Sequence, residues 1–140
     1  MSGILVETLK RRARDFMELA EDMMERGKYD LAAFFAEQSC QLYLKAVLIR
    51  LFGEAPAVHG LRQLLGLLAR KLEENRRGDI AQSILNFVKE HRDELSDLEE
   101  AYTGTRYRVL KFTESQVAAM IGSAKKLLKL LEEVERNVVG

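Results

Sequence analysis

The stretch at 30–52, DLAAFFAEQSCQLYLKAVLIRLF, constrains the fold more than any other part of the chain. Taken as an α-helix, it is apolar almost all the way round. One stripe carries Leu31, Phe34, Phe35, Leu42, Ile49 and Phe52. The opposite side carries Ala33, Ala36, Cys40, Tyr43 and Val47. Because a helix that is apolar on every face is enclosed by its neighbours, we expect this helix at the centre of a helical bundle.

Two polar residues, Gln38 and Lys45, interrupt the first of these stripes. A buried polar group must be hydrogen-bonded and a buried charge must be paired. Lys45 either extends its amine past apolar neighbours to solvent or pairs within the bundle. His59 directly precedes the predicted third helix, where it caps the helix or orients the loop. We interpret Gln38, Lys45 and His59 as a structural polar core, in preference to a catalytic lysine or histidine.

The composition favours one helical domain over residues 1–140, with a single proline. Its 22 basic and 22 acidic side chains balance, so no global field attracts nucleic acid or an anionic membrane. Cys40, His59 and His91 are too few for a usual zinc site, and we expect neither metal nor cofactor.

One cysteine suits a reducing cytoplasm, and no apolar run approaches the ~20 residues that span a membrane. His91 lies in a charged segment and is expected to be exposed.

Helical periodicity and turn residues predict the order of the elements. The predicted helices cover about 2–26, 30–52, 61–75, 80–102 and 113–134. Whether 80–102 forms one helix or two stays open, because the charged segment at 89–93 interrupts its apolar pattern. Gly27 ends the first helix, and Thr113 with Gln116 forms a capping box on the last. The predicted fold is all-α, an antiparallel up-and-down bundle of four long helices with a possible short fifth helix.

The chain contains none of the common catalytic motifs. It has no Gly-rich phosphate loop, no GxSxG nucleophile elbow, no HExxH, and no Glu-x-x-His of the di-iron bundles. Its paired glutamates lie on predicted helices with lysines or arginines nearby, which is typical of solvated helix faces. From these motifs we predict no catalytic residue and no metal site.

The segment at 103–112, TGTRYRVLKF, is the best candidate for a binding site. The candidate ligand-binding residues there and just before it are Arg106, Tyr107, Tyr102, Arg108 and Lys111. Arginine offers a fork of donors that fits a phosphate, and a tyrosine ring can stack on a base. A structural alternative stays open, in which Arg106 pairs with a carboxylate such as Glu99 and the tyrosines fix the loop to the bundle.

Several separated pieces of the chain resemble the HEPN domain family (higher eukaryotes and prokaryotes nucleotide-binding). The pieces are, in order, AAFFAEQSCQLYLKAVL with Gln38, Lys45 and Ala46; His59-Gly60-Leu61; Tyr102 with Arg106-Tyr107; and Phe112-Thr113-Glu114. They match the family's second helix, the opening of its third helix, its Tyr and Arg-Tyr pattern, and the start of its last helix. The resemblance covers nearly the whole chain in the family's order.

The resemblance implies a helical bundle that is commonly a homodimer. In bacteria and archaea it is often encoded beside a separate minimal nucleotidyltransferase, as in toxin–antitoxin pairs. Some members are metal-independent ribonucleases that use an Arg with a His shortly after it. No His follows Arg106 in this chain, so the resemblance implies a member without the ribonuclease motif. Gln41 also stands where an acidic residue is usual, and Arg108 where proline is common.

These observations support three hypotheses. The leading one is a non-catalytic module that binds a nucleotide or an RNA phosphate at Arg106 and also a partner protein, such as a nucleotidyltransferase. The second is a toxin-like ribonuclease at a dimer interface, in which Arg106, Tyr107 and Lys111 replace the missing pair. The third is a purely structural dimerisation module.

Overall fold

The computed structural model describes residues 2–104 and 111–139, and within them every regular element is an α-helix. The six helices are α1 (Ser2–Glu25), α2 (Tyr29–Phe52), α3 (Leu61–Glu74), α4 (Gly78–Glu90), α5 (Arg92–Gly104) and α6 (Glu114–Val139). The prediction of an all-α fold is confirmed. The number of helices differs from the predicted four long helices with a possible short fifth. Three of them are long, with 24, 24 and 26 residues for α1, α2 and α6.

A break at His91 divides the segment predicted at 80–102 into α4 and α5. The imidazole of His91 packs on the ring of Phe87, with centroids 4.2 Å apart, and its Nδ1 lies 3.1 Å from Ser123 Oγ on α6. Ser123 Oγ donates in turn to Glu94 Oε1. The expectation that His91 is exposed is wrong, because these contacts leave its side chain only 15% exposed.

The predicted helix ends at Gly27 and Thr113 are confirmed. Gly27 follows α1 with a φ of 73°, a conformation that favours glycine. The capping box forms before α6: the Thr113 amide donates to Gln116 Oε1 at 2.9 Å, and the Gln116 amide donates to Thr113 Oγ1 at 3.1 Å. Each bond satisfies a donor that the first turn of the helix leaves open.

The relative directions of the long helices follow from their connections and contacts. A tight turn joins α1 to α2, and the two helices pack side by side, so they are antiparallel. In contrast, α2 and α6 run in the same direction. Cys40 lies beside Ala124, and Arg50, further along α2, lies beside Glu135, further along α6.

The central helix is α2, which packs against α1, α3, α5 and α6. Its fully buried side includes Ala33, Ala36, Cys40, Tyr43 and Val47. The opposite stripe is only half-buried, and it comprises Leu31, Phe34, Phe35, Leu42, Ile49 and Phe52. The prediction that α2 is enclosed on every side is therefore wrong for the single chain, since one apolar stripe remains partly open to solvent.

Candidate functional site

A buried carboxylate, Glu37 on α2, is the innermost member of a polar cluster. Its side chain is fully buried. Gln38 Nε2 donates to Glu37 Oε1, and Gln41 Nε2 donates to Glu37 Oε2, each at 2.9 Å. Burial nevertheless raises the pKa of Glu37 from 4.5 to about 7, with the bonds from Gln41 and Gln38 acting in the opposite direction. Glu37 therefore changes charge near neutral pH.

The cluster continues from Gln41 to His59, in the loop before α3. Gln41 Oε1 lies 2.9 Å from His59 Nδ1, and Lys45 Nζ lies 3.2 Å from the same nitrogen. When Gln41 Nε2 donates to ionised Glu37, the amide oxygen faces the imidazole, and His59 donates to it in the Nδ1–H tautomer. In that tautomer Lys45 Nζ, which only donates, makes no hydrogen bond to Nδ1. His59 is exposed, and its Nε2 has no hydrogen-bond partner within 2–104 and 111–139. Desolvation lowers the pKa of Lys45, although the charge of Glu37 partly opposes this.

Residues of α5 and α3 close one side of the cluster. The ring of Tyr102 lies 5.6 Å from the ring of His59 and 6.4 Å from that of Phe34, to which it is parallel within 2°. One turn earlier on α5, Glu99 accepts a bond from Arg62 Nε at 2.7 Å and one from the Arg62 backbone amide at 3.2 Å. The cluster therefore lies where α2, the loop before α3, the start of α3 and the end of α5 meet.

The structure places only some of the predicted ligand-binding residues. Tyr102 belongs to the polar cluster, and Lys111 is exposed shortly before α6. The other three lie outside the described residues: Arg106, Tyr107 and Arg108. The three residues interpreted from sequence as a structural polar core join the cluster with Tyr102: Gln38, Lys45 and His59. Glu99, considered as a partner for Arg106, is bonded to Arg62.

Sequence reasoning missed Glu37 and the bridging role of Gln41. A signal was available for Glu37, which lies one helical turn from Ala33 and near Cys40, on the buried side of α2. A carboxylate on that side has no access to water and needs donors nearby. The carboxylate of Glu37 lies one turn before Gln41, and the Gln41 amide connects it to His59.

A second concave region lies away from this cluster, between α1 and α6. It is a groove of about 540 Å³ lined by Arg14, Met17, Glu18, Glu21, Lys125, Leu128, Lys129 and Glu132. Its charges are mixed, and Lys125 pairs with Glu21 at 2.9 Å. No group of three or more His, Cys, Asp and Glu side chains in the described chain is placed to hold a metal ion. None of the described helices is long and apolar enough to cross a membrane.

Comparison with models of known protein families gives a match. The family model for the HEPN domain matches residues 6–134, which is nearly the whole chain and includes every residue of the polar cluster. A sequence search of the curated proteins finds no match.

Proposed function

The chain belongs to the HEPN domain family, and from this premise we propose that it binds a nucleotide or an RNA phosphate. The proposed site comprises Lys45, His59 and Tyr102 of the polar cluster with Arg106 and Lys111. One observation carries the proposal: the ring of His59 lies 5.6 Å from that of Tyr102. Tyr102 comes shortly before 105–110 in sequence, the segment that holds the arginines and tyrosine predicted to bind ligand.

Each residue type in the proposed site fits a part of a nucleotide. The ammonium group of Lys45 is a donor for phosphate oxygens, and so is the exposed imidazole of His59 when its Nε2 carries a proton. Tyr102 presents a ring on which a base can stack. Arg106 supplies a planar fork that binds phosphate through two parallel bonds. Glu37 lies behind these groups and holds Gln41, which in turn orients His59.

Calorimetric titration with ATP and with a short RNA tests the proposal. We expect Arg106→Ala to weaken binding by about tenfold or more, as for the loss of a hydrogen bond to a charged group. Arg70→Ala, which removes an exposed arginine of α3, is the matched control and should bind like the wild type. Absence of binding by the wild type at near-millimolar ligand contradicts the proposal, as does equal weakening by both variants.

We also propose a homodimer that forms through the α1–α2 face, two adjacent apolar stripes that are partly open to solvent. They consist of Leu5, Leu9, Phe16, Leu19 and Met23 on α1 and Leu31, Phe35, Leu42 and Ile49 on α2. Phe16 stacks on Phe35 at 5.8 Å and joins the stripes. A second copy would remove this apolar surface from water. Because Gln38 and Lys45 interrupt the α2 stripe, the dimer would bring the polar clusters of its two copies close together.

Light scattering on a matched pair of variants tests the dimer. Leu19 on α1 is 41% exposed and Leu85 on α4 is 39% exposed, so the two differ mainly in location. We expect Leu19→Glu to yield a monomer and Leu85→Glu to leave the dimer intact, since a charge in an apolar interface must be desolvated. A monomeric wild type at high concentration, or equal behaviour of the two variants, contradicts the proposed interface.

A separate minimal nucleotidyltransferase is the proposed protein partner. This part rests on the family resemblance. The chain itself cannot supply the transferase site, because its Gly122-Ser123 lies inside α6 and no paired aspartates follow it. The genomic neighbour provides the test. A nucleotidyltransferase gene beside this one, with a product that co-purifies with the chain, supports the partnership, and a product that does not associate contradicts it.

RNA cleavage is the second candidate function, favoured by the position of His59. His59 offers an imidazole from another part of the chain, with its ring tilted by 39° against the ring of Tyr102. Imidazole is the side chain best suited to general acid and base chemistry near neutral pH. Incubation with structured RNA distinguishes the alternatives: cleavage lost in both His59→Ala and Arg106→Ala supports a ribonuclease, and cleavage that persists in both indicates a contaminant.

A further inference from the structure

We propose that His59 Nε2 faces the phosphate of the ligand and that Glu37, acting through Gln41, determines whether this nitrogen carries a proton. The inference rests on the proposed function. It adds His59 Nε2 as a hydrogen-bond donor to the ligand and Glu37 as the group that controls its protonation. In this scheme Glu37 and Gln41 are positioning residues, and His59 touches the ligand.

When Glu37 is ionised, the hydrogen bonds fix one tautomer of His59. Glu37 Oε2 accepts from Gln41 Nε2 at 2.9 Å, so the amide oxygen of Gln41 faces His59 Nδ1, also at 2.9 Å. Only a protonated Nδ1 can donate to this oxygen. The neutral imidazole then has a bare Nε2, which accepts hydrogen bonds and offers nothing to a phosphate oxygen.

When Glu37 is protonated, the same three side chains support the opposite arrangement. The Glu37 hydroxyl donates to the Gln41 amide oxygen, which requires the amide to rotate by half a turn and present its NH₂ group to His59. Nδ1 then becomes an acceptor, and Lys45 Nζ, 3.2 Å away, can donate to the same nitrogen. The imidazole proton moves to Nε2, on the exposed side of the ring, where it can bind an oxyanion.

The surroundings of Glu37 support a change of charge near neutrality. On its own helix it faces Gln38, Gln41, Lys45 and the buried thiol of Cys40. From α5 it faces Glu99, which Arg62 of α3 holds, and beyond Gln41 it faces His59 of the loop. Burial raises the pKa of Glu37 to about 7; Glu99 acts in the same direction and Lys45 in the opposite one. Both arrangements are therefore accessible near physiological pH.

The hydrogen bonds from Glu37 through Gln41 to His59 form a relay. The tautomer of His59 tests this relay without any ligand. We expect ¹⁵N NMR at about pH 8, above the titration of Glu37, to show the Nδ1–H tautomer in the wild type. Glu37→Gln keeps a carbonyl for Gln38 and supplies an amide donor to Gln41, so it should switch His59 to Nε2–H. Gln41→Met cuts the relay and should also yield Nε2–H. An Nε2–H tautomer in the wild type, or Nδ1–H in both variants, overturns the inference.

Binding of sulfate, whose charge is constant across this pH range, tests the role of Nε2. At about pH 8 we expect Glu37→Gln and Gln41→Met each to bind sulfate about tenfold more tightly than the wild type, as for a gained hydrogen bond to a charged group. Gln41→Met keeps the Glu37 carboxyl, so tighter binding by Glu37→Gln alone would be an effect of charge and overturns the inference. If the tautomer switches but neither the wild type nor the variants bind sulfate, ATP or RNA, the proposed function and the role of Nε2 both fail, while control of the tautomer by Glu37 is upheld.

Discussion

Replacement of Glu37 by Gln should make the protein more stable at alkaline pH and remove part of its pH dependence. Gln has nearly the shape of Glu and can still accept from Gln38, while its amide donates to Gln41. What it lacks is a carboxyl that must become charged inside the bundle. The side chain of Glu37 is fully buried, so solvent does not screen this charge.

The magnitude follows from the pKa of Glu37 in the two states. It is about 7 in the folded chain against an ordinary value of 4.5. Between these values the folded state holds a proton that the unfolded state has released, so the free energy of unfolding falls as pH rises. At about 1.4 kcal/mol per pKa unit, Glu37 removes about 3 kcal/mol of stability by the time the pH exceeds 7.

Urea unfolding at a series of pH values, at one fixed protein concentration, measures the effect. The stability of Glu37→Gln relative to the wild type should increase by about 3 kcal/mol between about pH 4.5 and pH 8. Glu100→Gln, which alters an exposed carboxylate of α5, should show a nearly constant difference. A difference between Glu37→Gln and the wild type that is also constant with pH refutes the burial of an ionisable Glu37.

Three further predictions concern the same framework. The charge of Glu99 raises the pKa of Glu37 and the charge of Lys45 lowers it. Glu99→Gln should therefore move the titration of Glu37 to lower pH, and Lys45→Met should move it to higher pH. Shifts of the same sign in pH-dependent unfolding would contradict this. Thr113→Ala should reduce the free energy of unfolding by about 1 kcal/mol through loss of the cap on α6, and an unchanged urea midpoint would refute it. Burial raises the pKa of the Cys40 thiol, so iodoacetamide should label Cys40 only on unfolding; rapid labelling of the native protein contradicts its burial.

The sequence predicted the parts of the fold that depend on local pattern. The all-α class, the extent of α2 and the capping box at Thr113 each follow from residues close together in the chain. The division of α4 from α5 stayed undecided, because the charged segment at 89–93 interrupts the apolar spacing without showing whether the helix ends there. The hydrogen bond that His91 makes at the break goes to Ser123 on a helix distant in sequence, and local pattern cannot indicate such a contact.

The candidate site was predicted only in fragments for the same reason. Tyr102 was identified for its place beside the arginines, while Lys45 and His59 were assigned to the core. These three residues lie far apart in sequence and meet because α2, the loop before α3 and α5 converge. The apolar pattern of α2 also could not show which of its faces the chain itself covers. Phe35 and Leu42 belong to a stripe that stays half-buried.

We propose that a phosphate-bearing ligand binds where His59, Tyr102 and Lys45 meet. Chemical-shift mapping on ¹⁵N-labelled protein, titrated with ATP or a short RNA, locates the binding site residue by residue. The predicted result is that the largest saturable shifts occur at these three residues. Shifts concentrated instead in the α1–α6 groove, around Arg14 and Lys125, or no shifts at near-millimolar ligand, would contradict the claim.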